Sequence, residues 1–117
     1  MYALFIILNK VDYLDDVLSA LVKYKVKGAT IVDSQGMASA IINNGIKGIP
    51  LFGSLKSLLG DPHPYNKTIF TVLKKEIVED VVAEVRTVLG DIKGPGVGFM
   101  FTVPVGDIYL LDDSHKK

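Results

Sequence analysis

The chain has 117 residues, and 49% of them are hydrophobic against 22% charged, a balance that offsets chain entropy and excludes general disorder. Its 13 Lys plus Arg offset 13 Asp plus Glu for a formal net charge of +0, so no basic field exists to hold a phosphate backbone or an anionic membrane, and nucleic acid is not an expected partner. With no cysteine and two histidines, disulfides, thiolate zinc sites and cysteine nucleophiles are excluded, and a histidine-rich metal site has too few ligands.

The size is that of one domain, expected to span 1–117. Tyr2 to Leu8 is apolar at every position, as suits a strand covered on both faces. The apolar run Ala3 to Leu8 is too short to cross a bilayer or to act as a signal core, so no membrane insertion and a cytoplasmic location are expected. From Val11 the period changes. Leu14, Val17, Leu18, Leu21 and Val22 recur at spacings of three and four and share one helical face. Asp12, Asp15 and Asp16 stand at its start and Lys23, Lys25 and Lys27 at its end, as the helix dipole favours, and Gly28 is expected to close it. Ala29 to Asp33, short and β-branched, reads as a second strand.

After a long connection the same order returns. Lys67 to Leu73 reads as a strand and Glu76 to Leu89 as a helix with Val78, Val81, Val82, Val85 and Leu89 on one face; Gly90 ends it, and Gly98 to Val105 forms a last strand. The chain is βαβ written twice, without close sequence repetition. Two such units predict an α+β, ferredoxin-like βαββαβ sandwich: a four-stranded antiparallel sheet with both helices on one face. Yet both alternating sets in the strands are apolar, Leu4, Ile6 and Leu8 against Ala3, Phe5 and Ile7, and Phe99, Phe101 and Val103 against Met100. A single copy would leave one set wet, so self-association is expected to cover it.

Three segments bear on chemistry. Gly90 to Gly98, with glycine at 90, 94, 96 and 98, lets backbone N–H groups approach an anion or a ring; it lacks the Gly-Lys-Ser/Thr ending of a phosphate-binding P-loop, and a tight turn needing positive φ explains it equally well. The connection from Gly36 to Asn66 is rich in apolar residues (Met37, Ile46, Leu51 and Phe52 among them) and reads either as a segment folded onto its own subunit or as a partner-docking arm using Ile41, Ile42, Leu55, Leu58 and Leu59. Asp61-Pro-His-Pro-Tyr65 sets Asp beside His63, but no further histidine or serine motif completes a triad, so a structural turn is the simpler reading. His115 lies in a polar terminal stretch. Glu76, Glu79, Asp80 and Glu84 spread over the solvent side of their helix and suggest no paired-carboxylate chemistry.

Phe99-Met-Phe-Thr-Val-Pro-Val105 behind a glycine-rich loop, with Val26-Lys-Gly-Ala-Thr-Ile-Val32 after the first helix, resembles the PII nitrogen-regulatory signal-transduction family and its PII-like relatives. The resemblance covers both βαβ halves, roughly residues 2 to 105, and fails over the middle connection. It implies a homotrimer with ligand clefts between subunits, an adenine nucleotide as effector, and a T-loop at 36–66 that reaches a transporter or an enzyme through residues 37–60. It also implies a regulatory role with no catalysis. Carried over by position, Gly28, Thr30 and Gly36 match the nucleotide side of the second strand, and Gly96 and Gly98 the glycine pair that cradles the ligand. The departures lie at the phosphates. Phe99 stands where the family has a lysine, and Leu110 and Asp112 replace arginines, so ATP binding of the family's usual kind is not expected. The family's tyrosine-bearing modification motif is also missing, so uridylylation is not expected. Two other readings use the same residues: a small enzyme built on the Asp61 to Tyr65 loop, and an accessory trimer of the cation-tolerance type.

Overall fold

In the computed structural model, which describes residues 1–37, 65–92 and 96–112, the first apolar run is strand β1 (Tyr2–Leu8), and it lies inside the sheet. A 3-10 turn at Val11–Tyr13 leads into α1 (Leu14–Lys23), followed by β2 (Thr30–Ser34), β3 (Asn66–Leu73), α2 (Lys75–Val88) and β4 (Gly98–Pro104). The strand order is β2-β3-β1-β4, and all three pairings are antiparallel. This is the ferredoxin-like arrangement expected from the two βαβ patterns.

The register sorts the strand residues into two faces. Ile31, Ile69, Ile6 and Met100 form one cross-strand row, and Thr30, Phe70, Phe5 and Phe101 the next, so successive rows point to opposite sides. The first set faces the helices. There Leu4, Ile6, Leu8, Ile69 and Leu73 are buried against Val17, Ala20 and Leu21 of α1 and Val78, Val81 and Val85 of α2. Each fully buried aliphatic side chain of this layer contributes about 1.5–3 kcal/mol, which makes this face the source of most of the stability. Lys23 Nζ reaches Glu84 Oε1 at 3.1 Å across the two helices. The lysine is largely exposed, so the pair adds little to stability.

Three details differ from the sequence reading. Val22 is 68% exposed and lies off the packed face of α1, which is carried by Val17, Ala20 and Leu21. The sheet pairing moves β2 one residue onward, because Ser34 is held opposite Asn66. Gly28 does not close α1. The helix ends at Lys23, and Lys25 takes the left-handed conformation with φ 61°. Lys25 N–H bonds Val22 C=O at 2.8 Å and Val26 N–H bonds Leu21 C=O at 3.1 Å, the paired bonds of a Schellman cap. A β-carbon in that conformation costs roughly 1 kcal/mol. Lys25→Gly is therefore expected to raise stability by about 1 kcal/mol, seen as a higher urea midpoint at unchanged slope.

Candidate functional site

The sheet side away from the helices carries an aromatic cluster. Phe5 stacks on Phe70 with ring centroids 5.5 Å apart and on Phe101 at 4.9 Å, and Phe101 on Phe99 at 6.1 Å. Ala3, Ile7, Val32, Val72 and Val103 extend it along the rows. No described element lies over this face, and Phe99 is 60% exposed. Stacking fixes the rings against one another but leaves their outer faces in water, which makes the sheet surface both ordered and apolar.

At the Leu8 end of the same face the chemistry changes from aromatic to neutral polar. Ser34 Oγ hydrogen-bonds Asn66 Oδ1 and lies 2.8 Å from Thr68 Oγ1, and Asn66 Nδ2 donates to Asn9 Oδ1 at 3.2 Å. Three strand ends are thereby joined by uncharged side chains, and Asn66 is buried while doing so. The glycine loop is tied to the same end: Asn9 and Lys10 N–H both point to Val97 C=O, at 2.9 and 3.3 Å. Among the described residues no group of three or more His, Cys, Asp or Glu gathers to hold a metal ion.

The predicted ligand residues divide between opposite edges of the sheet. Thr30 lies on β2 and Gly36 just beyond it, while Gly98 opens β4, with β3 and β1 between them. At about 4.8 Å per strand the two edges stand roughly 14 Å apart. Gly28 sits away from the glycine loop, where its carbonyl accepts a hydrogen bond from Thr71 Oγ1 at 2.5 Å. One chain thus does not bring the five residues to one site.

The glycines also differ in what they require. A β-carbon on Gly98, at φ +150°, would stand 2.2 Å from the Ile7 carbonyl oxygen, and Gly96 has φ 82°. Gly28 and Gly36 have nothing within 4 Å of the equivalent position. Gly98 is thus demanded by the close approach of β4 to β1, in addition to any part in binding.

Phe99, in the place of a cation, projects from the open face, and Leu110 and Asp112 follow β4 in exposed chain. The arm residues Ile41, Ile42, Leu55, Leu58 and Leu59, and Asp61 to Pro64 with His63, lie outside the described residues, as does His115. The sequence reading missed the Asn9–Ser34–Asn66–Thr68 cluster. Its one sequence signal is the alternation of Asn66 and Thr68 at the start of β3.

No protein-family model matches the chain, and no curated protein is similar to it in sequence. Among solved structures it is similar to the crystal structure of Arabidopsis thaliana PII bound to citrate, with a TM-score of 0.65 and 22% identity, over 94% of this chain and 79% of that one. The chain has a PII-like fold. No helix among the described residues is long and apolar enough to cross a membrane.

Proposed function

We propose that this chain is a PII-like regulatory protein that works by binding and not by catalysis. Three copies pack their open sheet faces together, and a small ligand enters the clefts between them. Residues 37–60 form the arm through which ligand occupancy reaches a partner protein, a transporter or an enzyme. The observation that carries this reading is the division of the candidate ligand residues between opposite sheet edges, beneath an uncovered aromatic face. Both features call for further copies of the chain, and the same assembly answers both.

The cleft so formed is neutral apart from Arg86, which lines the groove beside Val97 and Gly98. Thr30, the Asn9–Ser34–Asn66–Thr68 cluster and the Gly96 and Gly98 backbone offer hydrogen bonds without formal charge. Phe99 supplies a ring in place of a cation. Such a lining suits a planar, hydrogen-bonding ligand such as an adenine nucleotide with few phosphates, since a single arginine offers few charge-assisted bonds to a polyphosphate. A ligand that binds the two arm positions unequally shifts the population between them, which is all that signalling requires.

The test is light scattering followed by calorimetry with ATP, ADP, AMP and a cyclic nucleotide. The expected result is a mass of three chains at micromolar concentration and no magnesium-dependent ATP binding at micromolar affinity. A monomer mass overturns the assembly, and tight magnesium-dependent ATP binding overturns that reading of the cleft.

A further inference from the structure

The helix side of the sheet is not covered along its whole width. Between the second half of α2 and the edge strand β4 runs an open groove of about 590 Å³, walled by Val82, Val85 and Leu89 on the helix and by Met100 and Thr102 on the strand. Val97 and Gly98 line it too, so the groove is continuous with the cleft proposed above. Small-molecule pockets span about 300–1,000 Å³ and combine apolar walls with a few polar groups that orient the ligand. The groove has the volume and the walls.

Arg86 is the polar group. Of the described residues that line the groove, it is the one with a formal charge. Its guanidinium makes no hydrogen bond or ion pair with another described residue, whereas Lys23 and Lys67 are taken up by Glu84 and Asp33. A guanidinium is a planar fork that grips one carboxylate or one phosphate through paired hydrogen bonds. A second or third anionic group would meet apolar side chains and the Thr102 hydroxyl, with no further described cation along the walls. Val82, Val85, Leu89 and Met100 offer dispersion contact without hydrogen bonding, which suits the face of a ring.

We propose that the ligand of this cleft carries a single anionic group, held by Arg86, on a flat ring that lies along the Val82, Val85, Leu89 and Met100 wall. This rests on the ligand reading proposed above and narrows it from few phosphates to one anionic group, a phosphate monoester or a carboxylate. Arg86 also stands in the last turn of α2, where a cation meets the negative end of the helix dipole. The dipole asks for charge alone and for no ligand. A merely structural arginine would therefore lower the urea midpoint of Arg86→Gln and leave every affinity unchanged.

Calorimetry with two matched pairs separates these roles: AMP against adenosine, and naphthylacetate against naphthylacetamide, the second member of each pair lacking the charge. In at least one pair the anion is expected to bind about tenfold or more tighter than its neutral counterpart, as charge-assisted hydrogen bonds provide. The pair that responds tells phosphate from carboxylate, and ADP should bind no tighter than AMP. Arg86→Gln should bring the anion down to its neutral counterpart and leave the latter unchanged, while Arg86→Lys keeps part of the difference. Val82→Trp, which fills the groove, should weaken both members of the pair. A preference for the anion that survives Arg86→Gln, no preference in either pair, or undiminished affinity in Val82→Trp overturns the proposal. Absence of binding by all four compounds overturns it as well. Light scattering then tells the two readings apart: a mass of three chains leaves the assembly standing, and a monomer mass overturns the assembly too.

Discussion

Phe101→Asp is expected to convert the assembly into folded single chains. Phe101 stacks on Phe5 at 4.9 Å with the rings 5° from parallel, touches Phe99, and sits in the central row of the open face. Within one chain the substitution removes stacking worth about 0.5–1.5 kcal/mol and exposes no core residue. The helix-side layer of Leu4, Ile6, Leu8, Ile69, Val81 and Val85 lies on the other side of the sheet and keeps the chain folded. In the assembly the cost is larger. Each carboxylate would enter an apolar contact with no described cation on that face to meet it, at several kcal/mol per ion, and symmetry repeats the penalty in every copy. Light scattering should show the mass fall from three chains to one while the far-ultraviolet circular dichroism is retained. Phe101→Leu, apolar and smaller, should keep the oligomer. A Phe101→Asp chain that still runs as a trimer would place the interface elsewhere.

The fold was legible in the sequence because it rests on local patterns. Tyr2 to Leu8 has no polar interruption, and Val78, Val81 and Val85 recur at helical spacing, so element type follows from period alone. The doubled βαβ order then leaves few topologies, and the observed one is among the simplest. The end of α1 was less legible, because the left-handed position fell on Lys25 while a glycine, the usual occupant, stood three residues later. Local preference pointed to Gly28, but the Leu21 and Val22 carbonyls had already found their partners.

The site was harder to read for a different reason. Asn9, Ser34 and Asn66 meet only because three strands end together, and nothing in the local sequence of any one of them announces the others. The groove beside β4 is further removed still, since it is space left where α2 stops short of covering an edge strand. Apolar content could be counted in advance. Where that content would lack cover depended on how two helices divide four strands between them.

Gly98→Ala is expected to cost on the order of 3 kcal/mol or more, and the reason lies in the sheet. Gly98 stands opposite Leu8 at the point where β4 joins β1, with φ +150°, a region that side chains other than glycine's rarely enter. Its β-carbon would fall 2.2 Å from the Ile7 carbonyl oxygen and 3.3 Å from the Leu8 Cα. Both neighbours are backbone of a central strand, so no side-chain rotation relieves the overlap. The β1–β4 pairing must part at that end, and with it the bonds that tie Val97 to Asn9 and Lys10. Against a typical stability of about 5–15 kcal/mol, a loss of this size is a large drop in urea midpoint. Gly28→Ala is the matched control: nothing lies within 4 Å of its added carbon, and a change within about 0.5 kcal/mol is expected. If Gly98→Ala unfolded at the wild-type midpoint, the close strand approach would not be what selects glycine there, and the demand would have to come from a ligand. If it falls as expected, Gly98 is required first by the approach of β4 to β1, whether or not a ligand meets it.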